Sequence, residues 1–314
     1  MLFRSIYLIA AGNLTVGLLI GFLLYVNSFY LPLRQVAVMW SSFQLALAAL
    51  DRISEVLALE TNMPVIPAAV EKTRRTGVLE FDNVHFSYPG GQEILRGSSF
   101  TLESGKTYAL VGPTGGGKTT TASLMARLYD PTGGRVLLRG ADIRSYAPEE
   151  RTKKIGFILQ EPFLFTGTIR DNVLYGNEKY RNYSDDQLIA LLNQRNVGSL
   201  LARFQEGLQT KVLAGGDAIS LGQKQLIAFI RAVLRDPEIL ILDEATANID
   251  TVTEQQLQQI LDKLPASTTK VIIAHRLNTI ANADEIFFIN SGEIIPAGSM
   301  EQALDMLLHG KRVS

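Results

Sequence analysis

The 314-residue sequence predicts an α/β domain with a largely parallel, covered sheet, preceded by a membrane-spanning helix. Three observations carry that expectation. The chain has no charged residue from Ser5 to Leu33, short apolar runs alternate with helical patterns after Gly77, and a glycine-rich turn joins one such run to a helix. A spanning helix takes about 20 apolar residues. Strands that alternate with helices form parallel sheets whose faces the helices cover. Composition narrows the function classes. Lys and Arg total 30 against 31 Asp and Glu, for a net charge of −1. That balance lacks the general electropositive character of non-specific nucleic-acid binders, so no nucleic-acid partner is expected. Cysteine is absent, which removes disulfides, thiolate metal sites and a cysteine nucleophile.

Within the apolar stretch, residues 1–11 read as the stub of one membrane helix, Gly12-Asn13 as a turn, and residues 14–33 as a complete span. A single tilted helix over the whole run is the alternative. A cleaved signal peptide would need a shorter apolar core and a small-residue cleavage site. Beyond Leu33, the residues Leu45, Leu47, Ala48, Leu50, Ile53, Val56 and Leu57 keep helical spacing while charge returns at Asp51, Arg52 and Glu55. The span therefore continues into water as far as about residue 60, and residues 1–60 form one region. Residues 61–77 contain Pro64, Pro67 and the basic run Lys72, Arg74 and Arg75, and read as a linker. The basic run is a solvated face or a contact with anionic lipid.

Residues 78–314 form the α/β domain. Its strand-like runs are Leu79–Phe86, Tyr108–Val111, Val136–Leu138, Ile155–Leu159, Ile239–Leu242, Val271–Ala274 and Ile286–Ile289. Helical patterns cover Thr119–Leu128 and Gln223–Arg235, and Ser184-x-x-Gln187 and Ser299-x-x-Gln302 read as capping boxes.

The turn after Val111 reads Gly112-Pro113-Thr114-Gly115-Gly116-Gly117-Lys118-Thr119, the G-x-x-x-x-G-K-[ST] pattern, in the strand-to-helix context that makes it a phosphate-binding P-loop. Glycines let successive backbone N–H groups converge on phosphate oxygens where a Cβ would intervene. The helix N-terminus adds its positive end. Lys118 supplies a point charge for the outer phosphates, and the Thr119 hydroxyl is a ligand for Mg²⁺. The run Ile239-Leu-Ile-Leu-Asp243-Glu244 ends a buried strand in two carboxylates. Asp243 is placed to hold the metal through water and Glu244 to act as general base on an attacking water. A cation between this acidic pair and the phosphates relieves their repulsion.

With Ser220-Leu221-Gly222-Gln223 ahead of the second helical pattern, the sequence resembles the ATP-binding cassette (ABC) family. Six motifs in order carry the resemblance across residues 78 to about 310: Gly112–Thr119, Gln160, Ser220–Gln223, Asp243-Glu244, Asn248-Ile-Asp250 and His275. The resemblance implies a P-loop ATPase with a parallel core sheet, an antiparallel β subdomain and a helical subdomain, using ATP and Mg²⁺. It implies that Tyr88 stacks on adenine, and that residues 112–119 and Thr120 hold the phosphates. Gln160 would reach the metal and the attacking water, and His275 the γ-phosphate. Ser220, Gly222 and Gln223 would face the nucleotide of a second subunit.

The apolar N-terminus and the stretch Glu161–Asn172 resemble exporter half-transporters, whose membrane domain would dock near residues 161–165. Those proteins carry six membrane helices, so this chain reads as a C-terminal part or a truncated reading frame. The resemblance places the protein in the plasma membrane with the cassette in the cytoplasm, and Arg34 and Arg52 agree with the positive-inside bias. Two positions depart from the family pattern. Leu221 replaces a glycine of the signature, where its Cβ would crowd phosphate and restrict the backbone, and Ala214 stands where exporters usually carry a glutamate. An altered signature beside an intact Glu244 resembles one partner of a heterodimer, which is favoured over a homodimer. The alternatives to a transporter ATPase are a non-transport ABC ATPase, which would carry coiled coils, and a regulatory cassette that binds ATP without cleaving it.

Overall fold

The computed structural model describes residues 2–59, 63–67, 77–213, 219–243, 251–273, 282–298 and 300–309. The chain divides into two units, Met1–Asn62 and Met63–Ser314.

The first unit holds helices α1 (Leu2–Ala10) and α2 (Val16–Leu57). The expected turn at Gly12-Asn13 is present. Gly12 takes φ +73°, and its N–H and that of Asn13 donate to the Ile9 and Leu8 carbonyls at 3.1 and 3.0 Å, closing α1 in a Schellman turn. Thr15 caps α2 by accepting the Leu18 N–H at 3.2 Å. With 42 residues, α2 is one continuous helix in which Pro32 sits internally. At 1.5 Å per residue that is roughly 63 Å, about twice the hydrocarbon thickness of a bilayer. The residues expected as a span and as its extension thus fall in a single helix, and α2 is long and apolar enough to cross a membrane.

The second unit opens with β1 (Leu79–Ser87) and β2 (Glu93–Leu102), followed by β3 (Thr107–Val111) and α3 (Lys118–Met125). Next come β4 (Gly133–Leu138), β5 (Ala141–Asp142), α4 (Pro148–Lys154) and β6 (Ile155–Ile158). A helical region follows with β7 (Gly167–Thr168), α5 (Ile169–Leu174), α6 (Asp185–Gln194), β8 (Lys211–Val212) and α7 (Leu221–Leu234). The chain then returns through β9 (Ile239–Asp243), α8 (Thr251–Asp262), β10 (Thr269–Ile273), β11 (Glu285–Asn290), β12 (Glu293–Pro296) and α9 (Met300–His309).

The main sheet runs β12-β11-β3-β10-β9-β6. All its pairings are parallel except β11 with β12. A second sheet, β2-β1-β4-β5, is antiparallel. The runs at Leu79 and Val136 therefore belong to the antiparallel subdomain that the family resemblance implied, and not to the parallel sheet that alternation alone suggested. The two sheets face one another across a core in which Phe81 stacks on Phe100 at 4.5 Å and Phe287 meets both Phe100 and Tyr108. A separate core around Leu188, Leu192, Leu226 and Phe229 fills the helical region.

The helix expected over Thr119–Leu128 is shorter. Arg127 takes φ +51°, and the Arg127 and Leu128 N–H groups donate to the Leu124 and Ser123 carbonyls at 3.0 and 2.8 Å, so α3 stops in a second Schellman turn. Ser184 and Gln187 form the expected capping box of α6, whereas Ser299 lies outside the described residues.

Candidate functional site

In a parallel sheet the carboxyl ends of the strands gather the loops that bind ligands, most often where the chain order reverses. Strand β3 lies between β10 and β11, and the loop 112–117 leaves its carboxyl end and enters α3. Two of the loop glycines are required by the fold. A Cβ on Gly112 (φ +148°) would stand 2.0 Å from the Ile289 carbonyl oxygen, and one on Gly116 would stand 2.7 Å from the same atom. The loop is thus packed backbone to backbone against β11. Gly115 (φ +79°) differs, because a Cβ there would meet nothing within 4 Å. That side of the loop is open. Gly117, at φ +110°, begins α3.

Lys118 is buried, and its Nζ donates to the Gly112 and Pro113 carbonyls at 2.9 and 3.0 Å. The ammonium is therefore held within the loop. Thr119 Oγ1 donates to Asp243 Oδ1 at 3.4 Å, and Asp243 is almost wholly buried at the carboxyl end of β9. A hydroxyl and a carboxylate side by side are hard oxygen donors of the kind Mg²⁺ takes, with phosphate oxygens and water completing its shell. These residues fit that ion.

Tyr88 leaves β1 beside this loop, and its hydroxyl lies 3.3 Å from Thr120 Oγ1 on α3. Its ring meets Phe86 edge-on at 4.9 Å and Tyr129 edge-on at 5.1 Å. The structure thus brings Tyr88, residues 112–120 and Asp243 into one neighbourhood.

Gln160 follows β6, and its carbonyl accepts the Gln225 Nε2 at 3.0 Å. Gln225, on α7, is 1 % exposed, and its Oε1 has no partner among the described residues. Ser220 caps α7, receiving the Gln223 N–H at 3.2 Å, while Gln223 Oε1 accepts the Ser220 N–H at 3.0 Å and its Nε2 donates to the Arg203 carbonyl. No described hydrogen bond joins Ser220, Gly222 or Gln223 to the 112–119 loop. Leu221 occupies the first helical position of α7 with an ordinary helical backbone. No left-handed φ is demanded of Leu221. Ala214, Glu244, Asn248, Asp250 and His275 lie outside the described residues.

Sequence reasoning pointed to the stretch Glu161–Asn172 but passed over the buried polar contacts that hold it. Asn172 is fully buried; its Oδ1 accepts the Phe165 N–H at 2.8 Å, and its Nδ2 donates to the Phe165 and Thr168 carbonyls at 2.8 and 3.0 Å. Arg231 of α7 donates to the Asn172 carbonyl at 2.7 Å and to the Phe163 carbonyl at 3.4 Å. Burial, with repulsion from Arg235, lowers the Arg231 guanidinium to about 10. Together these residues shape an apolar groove lined by Leu159, Pro162, Phe163, Phe165 and Tyr175, with Phe163 67 % exposed. The sequence signal for this region is the likeness of Glu161–Asn172 to exporters; nothing in it marked Arg231.

Residues 95–247 match the family model described as ABC transporter. An uncharacterized ABC transporter ATP-binding protein, YfiC of Bacillus subtilis (strain 168), is 42 % identical over 293 residues, which is 93 % of this chain and 48 % of that protein. A fatty acid ABC transporter ATP-binding/permease protein of Mycobacterium bovis is 37 % identical, over 94 % of this chain and 46 % of its own length. The mycobactin import ATP-binding/permease protein IrtB of Mycolicibacterium thermoresistibile is also 37 % identical, over 96 % and 51 %. Among solved structures, a bacterial Atm1-family ABC exporter with ATP bound superposes with a TM-score of 0.66 at 31 % identity, covering 93 % of this chain and 51 % of that one. The chain spans about half the length of the relatives it matches.

Proposed function

We propose, from the premise that this chain belongs to the ABC transporter family and carries its ATP-binding domain, that it binds ATP with Mg²⁺ and hydrolyses it to drive a solute across a membrane. One observation carries this reading. The 112–117 loop is fixed against β11 and open at Gly115, Lys118 is held by the loop carbonyls, and Thr119 at the start of α3 meets Asp243. In this reading Tyr88 stacks on the base, the loop N–H groups and Thr120 hold the phosphates, and Lys118 turns from the loop carbonyls to the outer phosphates. Thr119, Gln160 and Asp243 would hold Mg²⁺, which would supply charge neutralisation at the phosphates. Glu244 takes a proton from the attacking water, and His275 steadies the γ-phosphate.

Ser220, Gly222 and Gln223 act on a nucleotide held by a second subunit, with the amino end of α7 turned toward it. Because Leu221 sits on unstrained helix, its effect on such a partner is steric, through its side chain. A heterodimer in which this chain's own P-loop and Glu244 meet an ordinary signature is therefore favoured over a homodimer. The aromatic groove around Phe163 receives the membrane domain of the assembled transporter, whose α2 crosses the plasma membrane with the ATPase on the cytoplasmic side. Export is the direction that the exporter-like sequence and structural likeness favour, although one relative is named for import.

Replacing Glu244 with Gln should reduce turnover by about 10²–10⁴-fold while ATP still binds. Calorimetry with ATP-Mg on the parent chain is the primary test, and absence of binding would end this reading. Turnover by the chain alone at the rate seen with an added partner would remove the heterodimer.

A further inference from the structure

The base end of the site has a residue that no motif marks. After α3 the chain turns sharply at Arg127 and runs Leu128-Tyr129-Asp130. The turn is closed by the Arg127 and Leu128 amide bonds to α3 and pinned by the buried Arg127 guanidinium, which donates to both carboxylate oxygens of Asp130 at 2.8 and 3.3 Å. Tyr129 is thereby fixed to the helix that begins at Lys118. Its ring meets Tyr88 at 5.1 Å and 86°, and Phe86 at 5.7 Å, while the residue stays 42 % exposed. Tyr88 follows β1 of the antiparallel sheet, and it contacts the phosphate-loop helix at Thr120 Oγ1 and the turn after that helix at Tyr129. Aromatic edges and faces attract in this geometry, and each such pair restrains the orientation of its partner.

We infer that Tyr129 is a positioning residue for base recognition, docking the Tyr88 ring onto the phosphate-loop helix so that base and phosphates are read at a fixed separation. This rests on the reading of Tyr88 as the base-stacking residue. Tyr129 acts through Tyr88, so its loss weakens the base contact and leaves the phosphate contact as it was.

The test compares two probes on the full chain, ATP-Mg and inorganic tripolyphosphate, by calorimetry. For Tyr129→Ala, and for Tyr129→Leu as a bulk-retaining second variant, the Kd for ATP should rise about 3- to 10-fold with tripolyphosphate affinity unmoved. Tyr129→Phe, which keeps the ring, should restore the parent affinity. ATP affinity unchanged in both ring-deleting variants, or an equal loss for both probes, overturns the inference. Tyr88→Ala in parallel separates the two readings. If Tyr88→Ala weakens ATP but the Tyr129 variants do not, only the positioning role fails. If Tyr88→Ala has no effect, base stacking fails and the inference falls with it.

Discussion

Arg127 donates from Nη2 to the Pro64 carbonyl across 2.8 Å, tying the end of the phosphate-loop helix to the segment that precedes the α/β domain. The arginine side chain is 1 % exposed, and it also donates to the Arg144 carbonyl at 3.2 Å; that carbonyl in turn accepts the Ile66 N–H at 3.0 Å. Within the residues expected to be a linker, Pro64 and Ile66 are therefore hydrogen-bonded to the α/β domain. The anchor also explains why an arginine, and not glycine, holds the left-handed position that ends α3. Replacing Arg127 with Met should destabilise the domain by about 2–4 kcal/mol, since Asp130 and two carbonyls lose a buried charged donor. Denaturant unfolding measures that loss. Hydrogen exchange at Ile66 should rise well beyond the global change, and an Ile66 amide that keeps parental protection would refute the anchor.

Asn172 and Arg231 act as one unit beneath the Phe163–Phe165 segment. Removing either leaves the other's polar atoms buried, so Asn172→Ala and Arg231→Met should each cost about 2–4 kcal/mol. Their double mutant should cost less than the sum by about 1–2 kcal/mol, as expected of side chains that share the 3.2 Å hydrogen bond from Arg231 Nη2 to Asn172 Oδ1. Strict additivity in urea unfolding would argue that the two act separately.

Much of this arrangement was legible in the sequence, and the reasons differ by element. Strands β3, β9 and β10 are buried on both faces and therefore read as unbroken apolar runs, so their ends were visible to within about two residues. The loop 112–119 was legible because phosphate geometry constrains its glycines. Strand β2 was not, because it is an edge strand whose alternation is broken at Gly97 (φ +71°), leaving only Leu95, Ser98 and Leu102 fully inward. Strand β12 is four residues at an edge of the main sheet. Arg127, Asn172 and Arg231 escaped notice because a charged or amide residue in sequence looks like surface. The two arginines are held by distant backbone carbonyls, Pro64 for Arg127 and Phe163 for Arg231, which no local pattern records, and Asn172 is held by the nearby Phe165 and Thr168 carbonyls through a loop conformation that residue types do not announce.

Acid should weaken the domain partly through Glu238. Burial opposes its charge, but hydrogen bonds from Lys154 at 2.8 Å and Arg139 at 2.7 Å outweigh it and hold the carboxyl below its ordinary value of 4.5. A carboxyl lowered on folding stabilises the fold fully above the unfolded pKa, and that contribution is lost as pH falls through the folded one. Stability should therefore decline below about pH 4.5 with a slope that Glu238→Gln reduces, while the variant is less stable than the parent at neutral pH. Chemical unfolding at several pH values between about 3 and 7 measures this. An acid slope identical in both proteins would remove Glu238 as a contributor.

The glycines of the 112–117 loop should separate into two kinds. At Gly112 an added methyl meets the Ile289 carbonyl at 2.0 Å on a left-handed backbone, so Gly112→Ala has to move β11 or the loop and should cost about 2–5 kcal/mol. At Gly115 the same methyl meets nothing, and only the backbone preference opposes it, by about 1 kcal/mol. The methyl instead occupies the open face that a phosphate would approach. Gly115→Ala should thus stay close to parental stability and lose ATP affinity by tenfold or more (~1.4 kcal/mol, the cost of one displaced charge-assisted hydrogen bond). Gly112→Ala should lose both. Thermal unfolding without nucleotide, paired with ATP titration, distinguishes them. If Gly115→Ala binds ATP as the parent does, the phosphates do not lie on that face and the assigned orientation of the loop is wrong.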